Sequence, residues 1–575
     1  MSHEPDAEQS AIISAAHGER LLVMAPPGAG KTWTAACRLS RLATAPAGDD
    51  QDDEGGRFLA LSFSRAAAFA MAAQIHHAGA GSRVEVRTID SWATMILRGA
   101  PGDGVDLDGL DYDQRISAAL VLLTTDPSAL TVYRHIVIDE AQDIHGARAD
   151  LLELLLTHPS VQGWTVLGDP AQAIYGFSGK HGGHLFDRLR ARQAFQQTEL
   201  QHCHRTQVGR LNAVAKLGEG LRGAGVGPAG RDALWEAFSS LPPMSAKDFL
   251  IAASSYAKER STAVLLRDNR AVLALSLQLG LQQTTHGVSS GRSEGIVPDW
   301  VASLCPAGRN NLDEQEVRSL IPEGLEPDPI VRSIRTMCQA RAGAVRTDQI
   351  ADFMLSGRLP EALLQPATGS LTLSTIHRAK GLEFGRVLVG SWDPTATGED
   401  PDDAARVLYV AMTRARSKLI RLVGLDHQPS RRDNRTRRWV DFRFVSKKET
   451  RVTAVEVRPS DINLLLPWHS LEARLPALEA LSAGCAVEFV LAGETRDNRQ
   501  VYTVRTRQTR EVLGIAPLQL SDDIEVLFGS LPDCLVGAQI AGRRTVALPA
   551  GTTSNNRRLF VAPVIRGMVH RDQGE

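Results

Sequence analysis

The sequence predicts an α/β chain built on parallel sheets and closing in a small β-rich C-terminal domain. Three observations predict it. Apolar runs of strand length alternate with helical stretches: Leu21–Met24, Phe58–Phe63, Val84–Ile89, Ile136–Asp139 and Trp164–Gly168. Such alternation implies parallel βαβ units. The first run feeds Ala25-Pro26-Pro27-Gly28-Ala29-Gly30-Lys31-Thr32, and Trp33 to Leu42 follows without glycine or proline. From Ala486 onward short strand-like runs recur between Asp/Asn/Gly/Pro turns.

Composition sets outer bounds. The chain has 575 residues and 43% hydrophobic content, enough for three or four domains with large cores. Lys+Arg number 64 against Asp+Glu 66, a net charge of −2. That balance neither supports nor excludes nucleic acid, because a local basic channel suffices. The six cysteines contain no Cys-x-x-Cys pair. Their scatter argues against a disulfide framework, a zinc ribbon or an iron–sulfur cluster, and fits a reducing cytoplasm. No signal-peptide pattern opens the chain and no apolar run is long enough to cross a bilayer, so no membrane partner is expected.

The elements follow in order. Glu4 to Ala16 has apolar positions at helical spacing and carries Gln9. A glutamine about twenty residues before a phosphate loop can read an adenine edge by a two-way amide hydrogen bond; the plainer alternative is a solvent-facing residue. In the loop, backbone N–H groups at Gly28, Ala29 and Gly30 form an anion nest at a helix N-terminus. Lys31 adds a cation for the outer phosphates, and the Thr32 hydroxyl suits Mg²⁺. The general pattern opens with glycine where this chain has Ala25. Gly48 to Gly56 is an acidic loop, and a strand at 57–64 leads into an alanine-rich helix over Arg65 to Ala78.

The apolar strand ending in Asp139-Glu140 puts two carboxylates at the carboxyl edge of a parallel sheet, where ligands bind. We assign Asp139 to the metal and Glu140 to the attacking water; an acidic helix cap is the alternative. After the strand at 164–169, Gln172 can sense the γ-phosphate. Tyr175 and Phe177 offer flat faces to unpaired bases, unless they are ordinary core aromatics.

These stretches, in this order, resemble a UvrD/Rep-type superfamily 1 DNA helicase. The likeness runs from Gln9 to Leu419. It includes Leu200-Gln201-His202-Cys203-His204-Arg205-Thr206, Thr375-Ile376-His377-Arg378-Ala379-Lys380-Gly381-Leu382-Glu383-Phe384 and Leu408-Tyr409-Val410-Ala411-Met412-Thr413-Arg414-Ala415-Arg416. The resemblance implies two RecA-like lobes with ATP and Mg²⁺ in the cleft between them. Arg205 and Arg414 would be arginine fingers that stabilise charge on the transferring phosphoryl group. Glu383 would contact the nucleotide sugar. Phe63, Tyr175 and Phe177 would stack on single-stranded DNA, with Arg65 and His377 on the same path.

Three departures stand out. His204 replaces the tyrosine that stacks on adenine, Asp90 replaces a histidine, and Arg65-Ala66 replaces Asn-Lys. The expected domains are a first lobe over 1–198, with a reduced insertion at about 98–131, and a second lobe over 199–426, with one at about 285–325. A basic linker and helical segment over 427–485 and a β-rich domain over 486–575 complete the chain. Within 431–458, ten Lys/Arg face four Asp/Glu, a run that suits nucleic-acid phosphate or a solvated linker equally.

The expected activity is DNA-stimulated ATP hydrolysis with 3′-to-5′ translocation on single-stranded DNA or at a fork. The alternative is an ATP-gated DNA sensor that controls a partner such as a nuclease or repair factor.

Overall fold

The computed structural model describes the chain except residues 1–3, 45–56, 64–67, 69–70, 73, 76–82, 100–109, 128–129, 131–132, 176–182, 193–194, 207, 223–226, 259–260, 283, 285, 289–296, 306–308, 310, 324, 326, 339–343, 347, 357–358, 360–362, 364–370, 395–398, 426–429, 447–448, 465–470, 483, 495–498, 550–556 and 573–575. Arg65 and Phe177 lie outside the described residues, as does the acidic loop. The rest forms two compact units. One comprises Met1–Leu241, Lys380–Glu383 and Asp393–Leu419; the other comprises Pro242–Ala379, Phe384–Trp392 and Ile420–Glu575. No helix among the described residues is long and apolar enough to cross a membrane.

The first unit is built on strands β1 (Arg20–Met24), β2 (Arg57–Ser62), β3 (Val84–Thr88), β4 (Tyr133–Asp139), β5 (Gly163–Gly168) and β6 (Gln196–Glu199), in the order β3-β2-β4-β5-β1-β6. All pairings are parallel. A parallel sheet is covered on both faces, so its strands read as continuous apolar runs. Leu22, Leu59, Leu61, Ile136, Ile138 and Val166 pack on one side with the helices Ile89–Gly99, Tyr112–Thr125 and Ala147–Thr157. Leu21, Val23, Phe58, Ala60, Val137 and Leu167 pack on the other with the helix Lys31–Thr44. Here Arg38 is fully buried. It donates to the carbonyls of Ile12, Ala15 and Ala16 and to Thr165 Oγ1, tying the C-terminal end of the helix Ala7–Ser14 to the sheet.

The second unit contains β7 (Pro243–Ser245), β8 (Thr262–Leu266), β9 (Gly287–Val288), β10 (Val297–Pro298), β11 (Asn311–Asp313), β12 (Ala344–Arg346), β13 (Leu371–Thr375), β14 (Phe384–Gly390) and, from Ile420 onward, β15 (Ala415–Val423). Six of them form a sheet in the order β7-β15-β14-β8-β13-β9, with β13 and β14 both parallel to β8. The remaining strands are β16 (Ser430–Arg432), β17 (Trp439–Phe444), β18 (Thr450–Val457), β19 (Ala486–Glu494), β20 (Gln500–Thr506), β21 (Val512–Ile515), β22 (Cys534–Ala547) and β23 (Leu559–Arg571). They form an antiparallel sheet in the order β16-β17-β18-β23-β22-β19-β20-β21, which β10 joins through β22. The α/β lobes and the β-rich C-terminal sheet are the predicted fold class.

Three details differ from expectation. The stretch read as a basic linker carries β16, β17 and β18. Its arginines masked an alternating pattern whose Val440, Val455 and Val457 enter the core of the antiparallel sheet. One of the short apolar runs after Ala486 that read as strands, Ile524–Phe528, is instead the end of a helix, Leu518–Phe528. Leu520 and Ile524, four apart, both face the core, and Gly529 at φ 76° caps the helix in the left-handed conformation. Finally, β22 and β23 are longer than expected, because register shifts at Gly537 and Ala541 interrupt the apolar alternation.

Candidate nucleotide site

The phosphate loop follows β1 and ends where Lys31 opens its helix. Gly28 and Gly30 take φ of 82° and 77°, a region glycine enters without a Cβ clash. Gly28 is also crowded: a Cβ there would lie 2.7 Å from Arg205 Cβ and 2.8 Å from Cys203 Sγ. His204 N–H donates to the Gly28 carbonyl at 2.8 Å. The loop and the Cys203–Arg205 segment are therefore interlocked at the backbone. Lys31 Nζ donates to the Ala25 carbonyl at 3.1 Å.

Gln9 is fully buried. Its Nε2 donates to the Ala29 carbonyl at 3.1 Å, and its Oε1 accepts from Asp6 N–H. In this arrangement the amide expected to read adenine supports the loop from behind. His204 Nε2 lies 2.8 Å from Asp6 Oδ2. Burial works against ionisation of Asp6, but the Gln9 N–H and His204 hold its carboxyl below the usual value.

β4 delivers the acidic pair. Thr32 Oγ1 donates to Asp139 Oδ2 at 2.7 Å, and Glu140 N–H donates to Asp139 Oδ1 at 2.9 Å. Glu140 itself adopts φ 57°, ψ 41°, a left-handed conformation unusual for a residue with a Cβ. The two carboxyls are driven apart. Burial and Glu140 raise Asp139. Burial also pushes Glu140 up, but Lys31, Lys380, Gln142 and Arg414 overrule it and keep Glu140 ionised. An ionised, half-buried carboxylate among cations is suited to orienting and deprotonating water.

Thr32 and Asp139 bring a hydroxyl and a carboxylate together beside the loop. Mg²⁺ is bound by such hard oxygens, with phosphates and waters completing the shell. Among the described residues no group of three or more His, Cys, Asp or Glu is placed to hold a metal ion.

Both arginines expected as fingers belong to the same unit as the loop. Arg414 is buried, and its Nη2 donates to Gln172 Oε1 at 3.0 Å. Gln172 Nε2 donates to Asp169 Oδ2 at 2.9 Å, and Arg222 Nε donates to Asp169 Oδ1 at 3.0 Å. A carboxylate can only accept and a guanidinium can only donate, so this chain fixes which way the Gln172 amide points. Burial and Arg205 lower Arg414 to about 9, so it is still a cation at neutral pH. Arg205 Nε donates to Glu383 Oε1 at 2.7 Å and Nη1 to the Thr413 carbonyl at 2.5 Å. Arg416 holds the other Glu383 oxygen at 2.8 Å. Burial would raise Glu383, but Arg205 and Arg416 keep it low. Glu383, expected on the sugar, thus clamps two arginines.

Sequence reasoning did not assign Lys380. Its Nζ donates to Asp143 Oδ1 and to the Gln172 carbonyl, both at 2.5 Å. It also lies 5.3 Å from the Tyr175 ring centroid, which is 5.9 Å from that of Phe63. Burial raises Asp143 to about 6 despite Lys380. Lys380 and Asp169 sit inside stretches named above and Asp143 lies three residues past Glu140, but no role was assigned to them from the sequence; Arg222 lies in no motif. His377 belongs to the other unit, half-buried just past β13.

A UvrD-like helicase C-terminal domain matches residues 370–421, and an AAA domain matches 8–178. These matches bracket the loop, the acidic pair, Gln172, Glu383 and Arg414 in one order. The chain is similar to the UvrD/Rep-like superfamily 1 helicases. ATP-dependent DNA helicase UvrD2 of Mycobacterium tuberculosis (strain ATCC 25618 / H37Rv) is 27% identical over 385 residues, covering 58% of this chain and 54% of that protein. ATP-dependent DNA helicase SRS2 of Saccharomyces cerevisiae is 37% identical over 70 residues, 12% of this chain and 6% of that one. The chain thus spans about half the length of the UvrD2 relative and a small part of SRS2. A crystal structure of Pif1 helicase from Bacteroides with ADP-AlF3 and ssDNA aligns with TM-score 0.37 and 15% identity, over 74% of this chain and 94% of that one.

Proposed function

We propose that the protein is an ATP-driven motor that hydrolyses ATP with Mg²⁺, moves 3′ to 5′ on single-stranded DNA and separates duplex strands. The observation that carries this reading is the hydrogen bond from Thr32, at the end of the phosphate loop, to Asp139 of the acidic pair at 2.7 Å, beside Glu140, whose carboxyl Lys31, Lys380 and Arg414 help keep ionised. Lys31 and the loop N–H groups would bind the β- and γ-phosphates, and Thr32 and Asp139 would hold Mg²⁺, whose charge offsets that of the phosphates. Glu140 would take a proton from water in line with the γ-phosphorus. Arg414, Arg205 and Gln172 would stabilise charge developing on the transferring group. Tyr175 and Phe63, beside Lys380, would read unpaired bases by stacking.

Glu140→Gln should lower single-stranded-DNA-stimulated phosphate release by about 10²–10⁴-fold. Unchanged release would remove Glu140 from its role. Displacement of streptavidin from 3′- or 5′-biotinylated oligonucleotides tests direction. Robust hydrolysis and translocation without separation of a forked duplex would favour the ATP-gated sensor instead.

A further inference from the structure

We propose that the hairpin of β17 and β18, with the edge strand β16, is a second binding surface for single-stranded DNA. Three observations in the second unit place aromatic rings and uncompensated cations together there.

The first is the pair of rings. Phe442 and Phe444, two apart on a strand, share a face, with centroids 5.5 Å apart and planes at 85°. Phe444 is 69% exposed, the most exposed aromatic side chain among the described residues, and Val445 beside it is 54% exposed. The Arg431 guanidinium lies 5.2 Å from the Phe442 centroid, so cation and ring alternate along this face.

The second is an electrostatic mismatch. Arg443 stands directly opposite Arg451 in the β17–β18 ladder. Like charges in that position destabilise a sheet, and among the described residues no carboxylate pairs with either. A polyanion laid across the hairpin removes the repulsion.

The third is that the hairpin is anchored at its base. Arg438, from the same basic run, is buried in ion pairs with Asp461 and Asp523 at 2.7 and 2.6 Å. Asp441 takes both 2.6 Å hydrogen bonds from Arg270. The run thus contains a buried arginine that holds the hairpin and two exposed ones, Arg443 and Arg451, that no carboxylate among the described residues pairs with. Rings that can stack on bases, interleaved with cations that meet phosphates, describe a single-strand surface rather than a duplex one, since paired bases hide their faces.

The choice of DNA rests on the proposed function; the surface itself does not. The test measures fluorescence anisotropy of a labelled thirty-nucleotide oligo(dT) with the full chain over a range of salt. Phe444→Ala should weaken binding about fivefold or more, with an unchanged salt slope. The double variant Arg443→Gln/Arg451→Gln should flatten the slope of log Kd against log salt by about 1.4. A 5-bromodeoxyuridine oligonucleotide should photo-crosslink to the peptide containing β17. Exposed positions make folding robust, and thermal melts check it.

Unchanged affinity and slope in both variants, with no crosslink, would overturn the proposal. Tyr175→Ala separates the two sites. If it alone abolishes binding, the hairpin proposal fails and the motor reading stands. If only the hairpin variants weaken binding, the hairpin stands and the DNA path near Lys380 fails. Tighter binding to oligo(rU) than to oligo(dT) would overturn the choice of DNA. Loss of binding to an acidic protein alone would overturn nucleic acid as the occupant.

Discussion

Arginine is used in opposite ways in the two compact units. In the first, Arg205, Arg222 and Arg414 are each held by fixed acceptors: Glu383, Asp169 and Gln172. On the β17–β18 hairpin of the second, Arg443 and Arg451 are exposed and face each other. A buried cation must be compensated where it sits, so its acceptors determine its position to within a hydrogen bond. An exposed one needs no fixed partner and is free to meet a mobile anion. The difference teaches that arginine count says little about function; what each guanidinium touches says more.

The comparison breaks hardest at Arg414. Arg414→Ala should reduce ATP hydrolysis about 10³-fold or more, as loss of an arginine finger does. A quenched-flow measurement within tenfold of wild type would show that Arg414 is only a structural contact of Gln172.

Within the basic run itself, Arg438→Ala should destabilise the protein by about 3–5 kcal/mol, because Asp461 and Asp523 would be left buried and unpaired. Arg443→Ala should change stability by no more than about 0.5 kcal/mol. Urea titrations of the two variants side by side test whether burial, and not charge, separates them.

His135 extends the contrast to pH. It is fully buried beside Arg38, Thr165 and the His17 carbonyl, and burial followed by Arg38 lowers its pKa to about 3. The folded state therefore resists its protonation, while the unfolded chain takes the proton near 6.5. Its contribution is complete above about 6.5 and is lost as pH falls toward 3, at about 1.4 kcal/mol per pH unit. Melting curves of wild type and His135→Asn from pH 7 to 5 should show a shallower decline in the variant; parallel declines would assign the acid sensitivity elsewhere.

The smallest effect is at His204. His204→Tyr should tighten ATP by up to about 1 kcal/mol if the ring faces adenine, while losing the contact to Asp6. Isothermal titration showing unchanged or weaker affinity would place the base elsewhere.

The legible parts of the molecule were those where local chemistry and spacing agree. The phosphate loop could be read because glycines, Lys31 and a following helix occur together, and the parallel sheet because its strands are apolar throughout. Gln9 was placed at the loop, but not its orientation: its amide turns inward onto the Ala29 carbonyl, a contact twenty residues distant that no periodicity encodes. Arg222 escaped notice because its meaning comes from Asp169, 53 positions away. The antiparallel sheet was half legible. Bulges at Gly537 and Ala541 shift the alternation, and the arginines of β16 to β18 hid strands whose buried faces are a few valines.

The left-handed backbone at Glu140 has a consequence for anyone who improves this protein by selection. Holding a residue with a Cβ there costs on the order of 1 kcal/mol, and glycine would relieve it. Glu140→Gly would remove that strain, but it would also take away the carboxylate that Lys31, Lys380 and Arg414 act on. Backbone strain and charge compensation pull against each other at this one peptide unit, so a selection for heat resistance there is best judged by turnover as well as melting point.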